Sequence, residues 1–139
     1  MKVFEVLDKA SKARTKGDTI KVLKDNETWA LKDVIRASLD KSITFNLPSG
    51  APPYTECEAH NHPSDLQRRN VDFKYIVKGG AGDRMPPYKR ESIFISILES
   101  VHPEDAKVVI NMINKKWPYK SGISKPVIDE AFPGLIKQW

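Results

Sequence analysis

The sequence predicts an all-α fold, a compact bundle of about seven helices with long irregular loops, forming one helical domain over residues 1–139. Apolar residues recur at the i, i+3, i+4 and i+7 positions of a helix in one segment after another. Capping residues, prolines and glycines stand at the ends of these segments. Residues 42–47 could be extended, but a lone strand has nothing obvious to pair with. These observations favour helices over a sheet.

The first two helices follow from an apolar stripe and a capping pair. The stripe consists of Val3, Val6, Leu7 and Ala10. It predicts a helix over about residues 2–13. Thr15 stands three residues before Asp18, the spacing at which a hydroxyl accepts a first-turn amide while an acid lies near the positive end of the helix. A second helix is therefore predicted to begin after Thr15.

A third helix and a long loop come next. The pair Asp25-Asn26 is a good cap for a helix over about residues 27–40, and Trp29 is expected to seal the edge of that helix against the core. Residues 48–63 contain several prolines and a glycine and show little periodicity. Because proline removes amide donors and fixes φ, this stretch is predicted to be an irregular loop. Loops of that length are usually functional or mobile.

The fourth and fifth helices are bounded by strong signals. Ser64-Asp65 can start the fourth helix, and Gly79-Gly80 can end it because glycine adopts positive φ. Residues of about 79–86 then form a second loop, and Pro87 fits the first turn of the fifth helix. The apolar stripe of the fifth helix is Ile93, Phe94, Ile97, Leu98 and Val101. This stripe is the most apolar in the chain, so we expect the fifth helix to be central.

The last two helices are short and well marked. A sixth helix is predicted to begin at His102, where a proline and two acids follow, and to end near Lys115. Ser124 is expected to cap a seventh helix, with a proline in its first turn and a stop at Pro133-Gly134. Seven helices account for most of the chain.

Composition and charge restrict the classes of function. The formal net charge is +5 with a pI near 9.3, which favours polyanionic partners because cations near phosphates release condensed counterions. With one cysteine no internal disulfide can form, and no apolar run approaches the roughly 20 residues that cross a bilayer. We therefore expect a cytoplasmic protein that is not bound to a membrane.

Cys57, His60 and His62 are candidate metal ligands, since thiolates and imidazoles suit zinc. The paired ligand spacing of zinc sites is absent, and no second cluster of cysteine and histidine exists. No metal and no other cofactor is expected, and the segment is interpreted as a polar loop tip. No nucleophile, base and orienting residue form a recognisable set, so an enzyme is not expected either.

Basic residues cluster at four places. Two of these are the pairs Arg68-Arg69 on the fourth helix and Lys89-Arg90 on the fifth. The two expected to bind DNA are Lys12, Arg14 and Lys16, and Lys115, Lys116, Lys120 and Lys125 around a turn with Ser121, Gly122 and Ser124. In that turn glycine permits a close backbone approach, serine offers a hydroxyl, and free amides at the start of the last helix can hold a phosphate. The same residues also serve a plain tight turn with a helix cap. Charge clusters are otherwise most often solvated faces.

Two segments carry a resemblance to a known family. Trp117–Ile136 contains a Gly-Ile-Ser turn that opens a helix, an alanine near the end of that helix and a Pro-Gly-Leu-Ile exit. Asp25–Asp40 contains Asp-Asn-Glu followed by Leu-Lys-Asp-Val-Ile-Arg. Both segments resemble the N-terminal DNA-binding domain of ATP-dependent DNA ligases, of the phage type in particular. Residues 48–90 show no such likeness.

The resemblance implies a helical domain that grips duplex DNA by its backbone across the minor groove. In that family a second, similar turn contributes, and Leu47–Gly50 holds the comparable place here, although the Ala-Pro-Pro that follows does not open a helix cleanly. The Lys-x-Asp-Gly nucleophile of ligases is missing. The sequence thus predicts a non-catalytic, phage-encoded protein that binds double-stranded DNA with little sequence preference, in the host cytoplasm.

Protein interaction is the alternative. A ligase-type domain freed from its enzyme could bind a host or phage protein of replication or transcription. The contact surface would then be the loop over residues 48–63 together with the apolar C terminus around Leu135 and Trp139. Oligomeric state does not follow from either hypothesis.

Overall fold

Seven α-helices, two 3₁₀ helices and no β-strand make up the protein in a computed structural model that describes residues 1–139. The α-helices are α1 (Val3–Ser11), α2 (Lys16–Asp25), α3 (Trp29–Leu39), α4 (Leu66–Arg69), α5 (Pro87–Ser100), α6 (Pro103–Ile113) and α7 (Lys125–Ala131). The 3₁₀ helices span Asn70–Tyr75 and Ala81–Arg84. The predicted all-α class is confirmed. None of the helices combines the length and apolarity needed to cross a membrane.

One continuous core of 27 buried apolar residues extends from Val3 to Ile136. Helix α6 packs against α1, α3 and α5, while α2 packs between α1 and α7. The expectation that the fifth helix is central was wrong, since α6 meets three other α-helices. The stripe of α5 is buried at Phe94, Ile97 and Leu98, but this helix lies nearer the edge of the bundle, where the long loop bonds to it.

The start of α3 differs from the prediction. Thr28 caps this helix, because its hydroxyl accepts the amide of Leu31 at 3.1 Å. Asp25 belongs to α2 instead, and Asn26 ends that helix. Trp29 does not seal the core either, since it is 72 % exposed. In the preceding helix the predicted cap is confirmed: the Thr15 hydroxyl accepts the amide of Asp18 at 3.1 Å.

The fourth helix is much shorter than predicted. Asp65 caps it, accepting the amide of Arg68 at 3.0 Å, but after one turn the chain continues as a 3₁₀ helix. The physical reason is local, since Asn70 and the residues after it favour helix weakly. Asn70 also donates its side-chain amide to Asp33 at 2.9 Å, a tertiary bond that holds the tighter turn. Gly79 has the predicted positive φ, +87°, but the predicted helix stop there is wrong, since the helical residues end at Tyr75.

The extended stretch over residues 42–47 does find a partner. Phe45 and Val77 form an isolated antiparallel bridge, flanked by hydrogen bonds from the Asn46 amide to the Ile76 carbonyl and from the Lys78 amide to the Thr44 carbonyl, each 2.8 Å long. The pairing is too short to count as a strand. It nevertheless ties the end of α3 to the segment before Gly79.

Each predicted loop carries more order than its composition indicates. The second loop, 79–86, contains the 3₁₀ helix Ala81–Arg84. The long loop, 48–63, has no helix but is bonded to the bundle. Gly50 donates its amide to the side chain of Asn114 at 2.7 Å, and Thr55 donates its amide to the carboxylate of Glu99, also at 2.7 Å. The thiol of Cys57 donates to the backbone carbonyl of Glu99.

Candidate nucleic-acid interface

Gly122 lies directly against the end of α1. A Cβ atom at this position would stand 2.3 Å from the carbonyl oxygen of Ser11 and 2.7 Å from its Cα. Such distances are far inside van der Waals contact, so only glycine fits here. The close backbone approach predicted at Gly122 therefore exists, but the partner is the chain's own backbone and not a phosphate.

This contact brings together two basic segments that are distant in sequence. Residues 11–16 and 119–125 contain five basic residues and no acidic one. A salt bridge of 3.4 Å between Lys16 and Glu130 ties the start of α2 to α7 beside the contact. The group of Lys12, Arg14, Lys16, Lys120 and Lys125 is called the basic junction below.

Three of the five cations of the basic junction are free of acidic partners. Lys12 pairs with Asp8 at 3.2 Å, and Lys16 pairs with Glu130. No carboxylate lies within 4.0 Å of the charged groups of the other three, which are Arg14, Lys120 and Lys125. All five residues are exposed. Since exposed ion pairs are weak, Lys12 and Lys16 can exchange their carboxylates for another anion at a small cost in free energy.

The turn that carries Lys120 is held firmly. The indole N–H of Trp117 donates to the carbonyl of Ile123 at 3.0 Å, and the Trp117 and Tyr119 rings meet edge to face with centroids 5.2 Å apart. The amides of Gly122 and Ile123 both donate to the carbonyl of Tyr119. Ser121 is exposed at the tip of the turn. The lysine is thus presented on a fixed backbone.

The start of α7 offers less to an anion than the sequence predicts. Ser124 occupies the capping position, but its hydroxyl accepts no hydrogen bond from the helix. Pro126 follows in the first turn and has no N–H to donate. Lys125 adds charge at this end, where its Nζ lies 5.6 Å from the centre of the Trp139 ring. The cationic side chains, and not the helix amides, are what this turn presents.

Lys115, predicted to contact DNA, is exposed, but its ammonium group is engaged within the chain. Its ammonium group donates to the carbonyls of Ala37 at 2.5 Å and Asp40 at 3.0 Å, and so satisfies the C-terminal end of α3. Desolvation lowers the pKa of Lys115, although the nearby charge of Asp40 opposes this. Lys115 also has φ +57°, and the next residue, Lys116, donates its amide back to Asn111 at 2.9 Å to close α6. Both lysines are exposed and neither has an acidic partner, but the ammonium group of Lys115 is engaged by backbone carbonyls and that of Lys116 is not.

The second turn implied by the ligase resemblance does not open a helix. Gly50 has φ +87°, but the chain after Leu47–Gly50 stays irregular until Leu66. Gly50 exchanges two hydrogen bonds with the side chain of Asn114, which anchors the turn to α6. This turn therefore lacks the form that the resemblance implies.

The residues weighed as metal ligands do not converge. His60 lies 3.3 Å from the carboxylate of Glu58, whereas His62 has its Nδ1 2.7 Å from the carbonyl of Ser64. The thiol of Cys57 is engaged by α5. No three histidine, cysteine or acidic side chains stand close enough to hold a metal ion.

Two buried carboxylates were not singled out from the sequence. Asp40 is 1 % exposed beneath the C-terminal tail, where it accepts the amide and hydroxyl of Ser42 at 2.9 and 2.6 Å and the amide of Lys137 at 3.0 Å. Burial alone would raise the pKa of Asp40, but these hydrogen bonds outweigh it and lower the pKa. This network docks the tail, and with it the half-buried Leu135 and Trp139, so the C terminus is not a free apolar surface.

Asp105 is the second buried carboxylate, with 0 % exposure. One oxygen, Oδ1, accepts the amide of Phe4 at 2.9 Å and so caps α1 from another helix, while Oδ2 has no hydrogen-bond partner. Burial raises the pKa of Asp105 to about 6, against the opposing effects of the Phe4 amide and the charges of Lys2 and His62.

The fold and the basic junction define a small helical protein with a group of exposed cations beside the end of α1. The chain matches the family described as "Family of unknown function (DUF6433)" over residues 6–118, and it belongs to that family. The match ends at the residue before the turn at 119–124, so two of the five residues of the basic junction, Lys120 and Lys125, lie outside it. No curated protein matches the chain.

Proposed function

We propose that this protein is a non-catalytic DNA-binding protein that contacts the phosphate backbone of duplex DNA through the basic junction, with little sequence preference. The observation that carries the proposal is the packing of Gly122 on Ser11, because it brings the backbones of two basic segments together. Cations that converge on one face are the electrostatic footprint of a backbone reader.

Three properties of the junction support this mode of binding. Arg14, Lys120 and Lys125 have no acidic partner, so each can neutralise a phosphate without breaking an ion pair. The turn that holds Lys120 is rigid, which reduces the entropy lost on binding. Contacts to phosphates position a protein on DNA but carry no sequence information. The ligase resemblance of residues 117–136 points to the same chemistry.

Fluorescence anisotropy with a labelled 25-base-pair duplex at low salt tests the proposal. We expect saturable binding whose logarithmic dependence on salt has a negative slope, with magnitude about 0.9 for each phosphate neutralised. Arg14→Glu and Lys120→Glu should each weaken binding for every duplex sequence and reduce that slope by about 1. A protein that does not bind duplex at tens of micromolar, or whose affinity ignores salt, contradicts the proposal.

A matched control separates the junction from net charge. Lys89 is exposed at the first turn of α5, has no acidic partner and lies outside the junction. Lys89→Glu changes the net charge as much as Lys120→Glu does. We expect it to lower the affinity much less than Lys120→Glu. Equal losses in the two variants would mean that binding reflects overall charge, and the basic junction would not be the site.

The packing that forms the junction has its own test. Gly122→Ala forces a Cβ into the backbone of Ser11 and should lower the free energy of unfolding by about 1–3 kcal/mol, as overpacking does. Gly17→Ala is the control, because a Cβ there meets nothing closer than the Thr15 hydroxyl at 3.9 Å. Since Gly17 lies inside α2, alanine should stabilise it slightly. Chemical denaturation of both variants checks the two signs.

A further inference from the structure

A groove on another part of the surface is not used by the basic junction. It lies between α3 and the segment from Asn70 to Gly80 and has a volume of about 500 Å³. Ala37, Ile43, Phe73 and Val77 supply its apolar lining, and Trp29 and Val71 complete it. Volumes of this size are typical of sites that hold a small ligand or a few side chains.

The groove gathers exposed apolar residues. Four large hydrophobic residues of the whole chain are exposed, and two of them line this groove: Trp29 at 72 % and Val71 at 61 %. Single exposed apolar side chains need no explanation, but neighbours around a concave surface mark interaction sites. Tryptophan in particular is enriched among the residues that dominate binding energy at protein interfaces.

The free charge at the groove is positive. Both oxygens of Asp33, its one acid, are already engaged, by Arg36 at 2.9 Å and by the side-chain amide of Asn70 at 2.9 Å. Lys74 has no carboxylate within 4.0 Å. Arg36 spends one N–H on Asp33 and retains others for a further acceptor. The groove therefore combines an apolar lining with unmatched cationic hydrogen-bond donors.

From this combination we infer that the groove docks a short acidic peptide segment of a partner protein, with an apolar side chain between Trp29 and Val71 and a carboxylate on Lys74 or Arg36. A second copy of the chain is a poorer fit, because two copies of net charge +5 repel each other. This inference is independent of the proposed DNA binding.

Selection from a random twelve-residue peptide library displayed on messenger RNA tests the inference with the full chain as bait. We expect enriched peptides that combine acidic residues with a bulky aliphatic or aromatic residue. Synthetic copies of the winners should bind at least tenfold more weakly to Trp29→Ala and to Lys74→Glu. Because both side chains are exposed, neither variant should alter the fold. Tyr88→Ala is the matched control, since Tyr88 is 65 % exposed but lies outside the groove.

Other results would overturn the inference. One is a selection that enriches no peptides with both acidic and bulky apolar residues. Another is enriched peptides that bind Trp29→Ala as tightly as the unchanged protein. Sedimentation velocity that shows a dimer abolished by Trp29→Ala would assign the groove to a second copy. A labelled single-stranded oligonucleotide that needs Trp29 would assign it to nucleic acid. Duplex binding is a separate readout, which Trp29→Ala leaves unchanged if the groove and the junction are distinct sites.

Discussion

Asp40 and Asp105 are both excluded from solvent, yet their pKa values move in opposite directions. Asp40 accepts three hydrogen bonds, all from Ser42 and Lys137, and its pKa is lowered. Asp105 accepts one, from Phe4, and its pKa is raised to about 6. Burial opposes the charged form in both cases, but Asp105 is the more strongly desolvated and has fewer donors. Burial therefore prevails at Asp105, whereas the hydrogen bonds prevail at Asp40.

The largest effect is expected for Asp40→Asn. The substitution puts an NH₂ group where a carboxylate oxygen accepts an N–H, so at least one buried donor loses its partner. We expect the free energy of unfolding to fall by about 2–3 kcal/mol, the range for hydrogen bonds to charged groups. Urea denaturation at pH 7 measures it. Asp25→Asn, at an exposed position where the side chain makes no hydrogen bond or ion pair, should change the free energy of unfolding by less than about 0.5 kcal/mol. Similar values for both would show that the Asp40 network stabilises nothing.

The raised pKa of Asp105 predicts that its contribution to the free energy of unfolding falls as the pH rises. Because its folded pKa, about 6, lies above the ordinary 3.8, its favourable contribution is complete below pH 3.8 and is lost as the pH rises to about 6. The shift corresponds to roughly 3 kcal/mol at most. Asp105→Asn cannot ionise but keeps an oxygen for the Phe4 amide. Its stability relative to the unchanged protein should therefore improve by about 2–3 kcal/mol between pH 4 and pH 7.

Thermal or urea unfolding of the unchanged protein and of Asp105→Asn between pH 4 and pH 7 tests this prediction. A constant difference between them would mean that Asp105 does not carry the shifted pKa. For Asp40 the sign is reversed: its lowered pKa gives a contribution that is present above pH 3.8 and is lost as the pH falls further. The two acids should thus be separable in one pH series.

A smaller effect is expected for Lys115→Met, which tests the lysine that donates to the end of α3. Methionine keeps the aliphatic stem but removes the donors to the carbonyls of Ala37 and Asp40. We expect a loss of about 1–1.5 kcal/mol. Lys116→Met, at the exposed neighbour, is the control and should change stability by less than about 0.5 kcal/mol. If both lysines behave alike, Lys115 does not cap α3.

The smallest effect on stability is expected for Ser42→Ala, which removes the hydrogen bond from the Ser42 hydroxyl to Asp40 and keeps the one from the Ser42 backbone N–H. The pKa of Asp40 should rise toward its ordinary value, and stability should fall by about 0.5–1 kcal/mol. Carboxyl carbon chemical shifts followed by NMR during a pH titration report this pKa directly. An unchanged Asp40 pKa would mean that the donors do not control it.

The sequence predicted elements where the signal is local and strong. The stripes of α1 and α6 and the Thr15 and Asp65 caps follow from spacing and residue type within a few positions. The errors lie where tertiary contacts override weak local preferences. The side-chain amide of Asn70 donates to Asp33, and the chain continues after α4 as a 3₁₀ helix. Thr28 caps α3 in place of Asn26. Residues 42–47 pair with a segment about 30 residues away.

The candidate site was predictable in its parts but not in its arrangement. Lys12 and Lys120 could be recognised as basic residues near turns, and Gly122 as a position of close approach. Lys115 looked equivalent to Lys120 in the sequence, yet it caps a helix that lies 78 residues earlier. The groove at Trp29 escaped prediction because a tryptophan beside an apolar helix face usually joins the core.

The chain's own residues determine that it forms helices, because apolar spacing, caps and glycine stops act over one or two turns. Only the tertiary structure decides which cations reach solvent and which are used internally. Gly122 against Ser11, Lys115 on α3 and Asp105 on α1 each join positions 75 or more residues apart. Such contacts depend on how the helices pack, and helix packing is a property of the whole core and not of any local pattern.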